Sequence, residues 1–340
     1  MALVFVDSFD HYATADILDK WTADAGSGSA AITSAGRFGS RLTCASSATA
    51  VNGVNLTVAS LATYVVGFAF KYSSLLSGDL IFAAFLDSGT SHIDLRLTNV
   101  GQIKLTRNGT ALTTGATVLA ADTWYYLELK FTISDTGTYE FKINGVAEFS
   151  SGSADTRNGA NASVNTIQLR GGALSTQTMS FDDLYVLDTT GGAPTNDFLG
   201  DIRVEALQAS GNGNSSQFDG SDGNSTDNYL LVDETTPDSD TTYVESPDVG
   251  DKDTYAFDDV TPSTGTVYGV QILPFCRKTD AGARSICSVA RLSGTETDSS
   301  DKVLSTSYTY MPDIRETKPG GGVWTITDVN NAEFGQKVTV

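Results

Sequence analysis

Thr123–Gly145 reads TWYYLELKFTISDTGTYEFKING, two runs dense in aromatic and β-branched residues joined at Asp135-Thr136-Gly137. In the first run Tyr125, Leu127, Leu129, Phe131 and Ile133 share one parity, while Tyr126, Glu128, Lys130, Thr132 and Ser134 share the other. A period of two marks a strand with one face in a core and one in solvent. After the turn, Tyr139, Phe141 and Ile143 alternate with Glu140, Lys142 and Asn144, so both apolar sets can line one face of a β-hairpin. Asn144-Gly145 tolerates positive φ, which lets Val146–Phe149 turn back as a further short strand.

The same texture runs outward from this hairpin. Val4–Val6, Tyr64–Tyr72, Leu80–Leu86, His92–Leu97, Gln102–Arg107, Thr166–Arg170 and Phe181–Leu187 all read as strands. Polar turn residues separate them at the spacing of an antiparallel sandwich. The one helical segment, around Asp16–Trp21, is too short to stand as an element by itself. At Asp188–Asn196, DTTGGAPTN, the alternation gives way to Gly, Pro and Thr, and a linker is expected at residues 191–198. The chain of 340 residues then divides into residues 1–190 and a smaller, β-sandwich-like domain over residues 199–340. Within the latter, strands are expected at Tyr229–Val232, Thr254–Phe257, Val267–Leu273, Ile286–Leu292 and Val338–Val340. The tract Ala209–Asn228 (ASGNGNSSQFDGSDGNSTDN) reads as an exposed loop or arm, because Phe218 is its only aromatic residue.

Charge narrows the partners. Residues 1–190 hold 11 basic and 17 acidic side chains and residues 191–340 hold 10 and 24, so the acidic excess concentrates in the second half. Such a surface repels nucleic acid and bare anionic membrane, which argues against both as partners. No run reaches the roughly 20 apolar residues of a membrane-spanning helix, and MALVFVDSFD has no basic region before its apolar residues, so neither membrane insertion nor a secretion signal is expected. Three cysteines, Cys44, Cys276 and Cys287, cannot all pair within one chain. Cys276 and Cys287 could meet on neighbouring strands, but free thiols are the simpler expectation.

Trp124 leading into the hairpin, the Asn144-Gly145 turn and the closing strand FDDLYVLD at Phe181–Asp188 resemble the concanavalin A-like jelly roll of the laminin-G type over residues 1–190. The resemblance implies an all-β chain that begins with a jelly-roll sandwich. The opening VFVDSFDHYATADILDKWT, the junction FDDLYVLDTTGGAPTNDFLGDIRVEAL and the ending VWTITDVNNAEFGQKV are also similar to structural proteins of tailed bacteriophages. That second resemblance implies a non-enzymatic component of the virion, assembled in the host cytoplasm and displayed on the tail or fibre. Its partners would be other virion proteins, copies of itself and a host-surface glycan. The alternatives are a capsid decoration or head-fibre protein and, from another class, a lectin-like carbohydrate-binding module or a glycosidase.

Residue chemistry argues against catalysis at the places where it would first be sought. Glycosidases need two carboxylates roughly 5 to 10 Å apart, and the ExDxxE spacing of the endoglucanase branch is absent. Asp182 and Asp183 are adjacent, so on a strand they point to opposite faces; one is expected exposed and the other capping a loop. His11, in DSFDHY near Asp7 and Asp10, lacks a nucleophile setting, and His92 reads as a polar edge residue. Sugar binding needs an exposed aromatic platform. Trp21, Trp124 and Trp324 sit beside strand-like runs where burial is expected, which leaves Tyr126, Tyr308 and Tyr310 as the carbohydrate-binding candidates. No cofactor is expected, with Ca²⁺ the one candidate cation, to be held by the oxygen-rich loop of Asp219, Asp222, Asn224 and Asp227.

Overall fold

The structure, a computed structural model, describes residues 2–45, 50–75, 77–172 and 177–340. It is all-β and divides into two compact units, Met1–Val204 and Glu205–Val340. In chain order the first unit comprises β1 (Leu3–Asp7), α1 (Ile17–Lys20), β2 (Ala23–Asp24), β3 (Gly28–Ser29), β4 (Ala31–Ser34), β5 (Ser40–Ala45), β6 (Asn52–Leu61), β7 (Thr63–Tyr72) and β8 (Leu80–Asp87). It continues with β9 (Thr90–Leu97), β10 (Gln102–Arg107), β11 (Thr110–Val118), β12 (Tyr125–Thr132), β13 (Gly137–Ile143), β14 (Val146–Ala154), β15 (Val164–Arg170) and β16 (Thr178–Leu187). Two eight-stranded sheets form. One runs β14-β13-β12-β7-β16-β5-β4 with β1 added on β16; the other runs β11-β10-β9-β8-β15-β6-β2 with β3 added on β6. Pairing of strands distant in sequence, such as β7 with β16 and β8 with β15, makes this a sandwich rather than a string of hairpins.

The hairpin pairs as its alternation requires, with Leu127 opposite Ile143, Leu129 opposite Phe141 and Phe131 opposite Tyr139. Asn144 (φ 51°) and Gly145 (φ 75°) turn the chain into β14 in the left-handed conformation that the Asn-Gly pair tolerates. Between the sheets the core is aromatic: Phe70 stacks on Phe82 at 4.4 Å and Phe131 meets Phe85 at 4.5 Å, each pair joining one sheet to the other.

The second face of the hairpin departs from expectation. Tyr126 and Glu128, read as solvent-facing, are buried. The chain after β16 crosses this face and is held by side chains rather than by a strand ladder. Leu199 N–H donates to the Tyr185 hydroxyl (3.2 Å), Gly200 N–H to Glu128 Oε1 (2.8 Å) and Val204 N–H to Asp183 Oδ1 (2.8 Å). The expected linker residues thus lead into a segment that belongs to the first unit up to Val204. Tyr185 lies across Gly67 of β7, where an added Cβ would stand 2.2 Å from its ring. Gly67→Ala is therefore expected to push the ring aside and destabilise the unit by about 1–3 kcal/mol; an unchanged urea midpoint would show that the ring does not need this space.

Asp182 and Asp183 are both fully buried, contrary to the expectation of one exposed carboxylate. The ladder between β16 and β7 shifts register between Asp182 and Tyr185, and Asp183 takes φ 48°. That bulge breaks the strict alternation. Asp182 Oδ2 accepts from Arg37 N (2.6 Å) and Phe38 N (3.3 Å), while Asp183 Oδ2 pairs with Arg37 Nη1 at 3.2 Å.

In the second unit a six-stranded sheet includes Ala209–Ser216, Lys252–Phe257, Glu333–Val338 and Ser285–Leu292 in that order. Ala290, Leu292 and Phe334 on this sheet pack with Ile272, Trp324, Val329 and Ala332. The polar tract expected to be an arm supplies the strand Ala209–Ser216, which pairs with Lys252–Phe257. Asp253 Oδ1 accepts from Gln217 N and Phe218 N, which ties the end of the tract down. Tyr229–Val232, expected as a strand, falls at a 3₁₀ turn over Asn228–Leu231. The final strand ends at Val338, and a short helix, Ile326–Asn330, is capped by Thr325 accepting from Asp328 N.

Candidate functional site

On β9, TSHIDLRL, the residues Ile93, Leu95 and Leu97 enter the core, which turns Asp94 and Arg96 to the outer face of their sheet. β15, VNTIQLR, does the same with Ile167 and Leu169 inward and Gln168 and Arg170 outward. Pairing register then sets Asn55 (β6), Gln168 (β15), Ala84 (β8), Asp94 (β9) and Thr106 (β10) side by side across five strands. Ala84 is the small residue in this row, and the polar side chains around it leave a cleft of about 220 Å³ over the β8 to β15 region. Ile81, Leu86, Ser91, Asn108 and Gly109 complete its wall.

The side chains of the cleft hold one another in place. Arg96 Nε donates to Asp94 Oδ1 (2.6 Å) and to Thr106 Oγ1 (3.2 Å), and Thr106 Oγ1 donates to Asp94 Oδ1 (2.8 Å). Gln168 Nε2 donates to Asn55 Oδ1 (2.9 Å), while Arg170 Nη1 donates to Gln168 Oε1 (3.2 Å). Asp94 is only 2 % exposed, lying beneath its arginine. Arg170 Nε is buried without an acceptor. Burial pulls the Arg170 pKa below the ordinary guanidinium value; Asp94 opposes that shift and the neighbouring Arg96 adds to it.

The residues expected to bind sugar do not form a site. Tyr126 is 2 % exposed and donates to the Asp183 carbonyl at 2.9 Å. Tyr308 and Tyr310 are consumed by their own unit. Tyr308 stacks on Phe275 at 5.0 Å, has the Arg277 guanidinium over its ring at 5.1 Å and donates to Asp240 Oδ1. Tyr310 is 7 % exposed against the same phenylalanine. Trp21 and Trp324 are buried, and Trp124 carries the Lys71 ammonium 4.8 Å from its ring centroid.

The expected cation loop is likewise self-satisfied. Asp219 lies in a two-residue strand pairing with Glu245, Asp222 accepts from Asn224 N and Nδ2, and Asn224 Oδ1 accepts from Thr226 N. Asp227 precedes the 3₁₀ turn at Asn228. Among the described residues no group of three or more His, Cys, Asp or Glu side chains is placed to hold a metal ion. All three cysteines are free thiols.

Neither histidine stands in the cleft wall. His92, expected at an edge, is fully buried, and its Nδ1 accepts from Asn158 N (2.9 Å) and Gly159 N (3.3 Å), which places the proton on Nε2. His11 sits 3.0 Å from the Lys20 ammonium, and burial together with that charge pushes its pKa down to about 3.

No family model and no curated protein matches the chain. Among solved structures it is similar to an endo-β-1,4-glucuronan lyase from the fungus Trichoderma reesei (13 % identity, TM-score 0.42, 54 % of this chain and 95 % of that one). It is also similar to a cellulose-induced protein (13 %, 0.40, 60 % and 100 %) and to an alginate lyase (13 %, 0.37, 58 % and 94 %). Sialidases appear as well, at 15 % identity over 47 % of the chain for one of them. At these identities the likeness concerns the fold. The expectation of a bacteriophage tail, fibre or capsid component is corrected by these comparisons, whose members are lyases, sialidases and a cellulose-induced protein.

Proposed function

We propose that the first unit binds carbohydrate along the outer face of the β8–β9–β15 sheet, as a recognition module without hydrolytic chemistry. The observation that carries this reading is the five-strand row around Ala84, from Asn55 through Gln168 and Asp94 to Thr106. Four inter-strand steps of about 4.8 Å make a row about 19 Å long, suited to a run of linked sugar rings rather than to a single small molecule. Amide, carboxylate and hydroxyl groups lie along it with the guanidinium groups of Arg96 and Arg170 beside it, matching hydroxyls that both donate and accept. Ile81, Ala84 and Leu86 supply apolar floor for the carbon faces of the rings.

Hydrolysis finds no support in the same groups. Asp94 is the one carboxylate in the cleft wall, and Arg96 and Thr106 already engage it. A second carboxylate roughly 5 to 10 Å away is what the two-carboxylate mechanism requires.

Affinity electrophoresis and calorimetry of the full chain against a panel of soluble plant, algal and bacterial polysaccharides test the proposal. Binding to at least one polymer is expected, weakened about tenfold or more by Gln168→Ala, since one good polar contact accounts for roughly 1.4 kcal/mol. Absence of binding across the panel would overturn the groove reading. Release of new reducing ends or of unsaturated sugar products would overturn its non-catalytic part.

A further inference from the structure

The charge arrangement within the cleft carries a more specific statement, which rests on the carbohydrate reading above. We infer that the groove selects sugars bearing an oxyanion substituent, with Arg170 and Arg96 as the residues that determine this specificity. The chain has 41 acidic against 21 basic side chains, yet the cleft wall holds two arginines and a single carboxylate. That carboxylate is committed: Asp94 pairs with Arg96 Nε at 2.6 Å and accepts from Thr106 at 2.8 Å. Arg170 makes no ion pair among the described residues, and Asp94, the carboxylate that favours its charge, is already engaged by Arg96 and Thr106.

Its surroundings hold Arg170 in position. Nη1 is anchored on Gln168 Oε1 (3.2 Å), and Gln168 is anchored in turn on Asn55 Oδ1 (2.9 Å). Arg170 lines the cleft, and its buried Nε finds no acceptor within the chain. A planar guanidinium edge matches two oxygens of one acid group, and a partly buried cation gains more from such a partner than an exposed one. Burial above all, and Arg96 to a smaller degree, disfavour the charge on Arg170, and an anion bound at the two arginines offsets both. Neutral sugars supply hydroxyls to the row but no charge for this position.

Carboxylate and sulfate ester both offer this chemistry, so the probes separate them. The full chain is titrated by calorimetry with a uronic acid homopolymer, with the same polymer after carboxyl reduction to the neutral sugar, and with a sulfated galactan. The expected result is binding of at least one anionic polymer tenfold or more tighter than the carboxyl-reduced one, with the preference shrinking as salt rises. Arg170→Gln is expected to bring the ratio of acidic to neutral affinity towards one, and Arg170→Lys to keep part of it; the lysine variant carries the test if the glutamine variant does not fold. Preference for the galactan alone supports the inference and assigns the oxyanion as sulfate. Equal binding of the uronate polymer, its reduced form and the galactan overturns the inference while leaving the groove in place. Binding of none of the three, together with silence across the wider panel, overturns the groove itself.

Discussion

Asp7→Ala is expected to destabilise the first unit by about 3–5 kcal/mol, because it strands a buried lysine. Asp7 is fully buried and receives four donors: Phe9 N (2.9 Å), the Tyr12 hydroxyl (2.8 Å), Trp21 Nε1 (3.0 Å) and the Lys20 ammonium (3.1 Å). Burial alone would raise its pKa, but Lys20, His11 and these donors hold it below the usual carboxylate value. Lys20 feels the same burial as a downward shift, only partly offset by Asp7. Removing the carboxylate leaves the ammonium uncompensated and Tyr12 and Trp21 without this acceptor. For a unit of this size the loss corresponds to a fall in Tm on the order of 10 °C. Asp7→Asn, which keeps an acceptor oxygen but removes the charge, is expected to fall between. Thermal unfolding followed by circular dichroism decides the matter, and a loss below about 1 kcal/mol for Asp7→Ala would mean that Lys20 escapes to solvent. The opening DSFDHY, which invited a reading as chemistry around His11, is thus the anchor of the β1 to α1 connection.

A second large effect concerns pH. Burial, reinforced by Asp183, pushes Asp182 up to about 8, and burial pushes Asp183 up to about 6. A carboxyl whose folded pKa lies above its unfolded value contributes stability that is complete below the unfolded value, near pH 4, and is lost as pH rises through the folded one. These two groups therefore weaken the fold progressively from pH 4 through pH 6 and 8. His11 acts in the opposite direction. Its folded pKa of about 3 lies below the ordinary 6.5, so the neutral ring supports folding above pH 6.5 and that support is lost as pH falls from 6.5 towards 3. Between pH 4 and 6 two groups lose stability while one gains it, so together these three place the maximum near pH 4, with a decline on the order of 1.4 kcal/mol per pH unit from pH 4 to 6 and again from pH 6.5 to 8. In Asp182→Asn the amide oxygen can still accept from Arg37 N and Phe38 N, so this variant is expected to flatten the decline above pH 4 and leave the rise below pH 4 intact. Unfolding midpoints at intervals from pH 3 to pH 9 measure both limbs; a decline of the same slope above pH 4 in wild type and variant would assign it elsewhere.

Both effects arise from enclosed carboxylates, Asp7 held by neighbours within 14 residues and Asp182 held by the Arg37 backbone 145 residues away, and the second kind marks where sequence reading ended. Strands whose apolar residues alternate cleanly, such as Leu127, Leu129 and Phe131 against Ile143, Phe141 and Tyr139, were legible because their own side chains carry the burial energy. Strands built from Thr, Ser, Asn and Gly escaped: β11, TALTTGATV, lies largely exposed at a sheet edge, and Ala209–Ser216 is held by backbone pairing with Lys252–Phe257 and by Asp253. Backbone hydrogen bonds are available to every sequence and so leave little mark in composition.

The sequence by itself determined the fold class, the hairpin register, the Asn144-Gly145 turn and the acidic bias of the second half, all of which follow from local alternation, turn chemistry and counting. Tertiary structure alone decided which polar residues face solvent. Tyr126 and Glu128 have the parity of an exposed face, but Glu128 accepts from Gly200, about 70 residues later in the chain, and Tyr126 donates to the Asp183 carbonyl with the Arg37 guanidinium over its ring. Asp94 and Gln168, unremarkable in their own strands, become neighbours of Ala84 only because β8 pairs with both β9 and β15. A polar side chain on a strand has a face dictated by its own parity, but its partners come from whichever strands the sheet order places alongside it, and that order is set by the packing of the whole core.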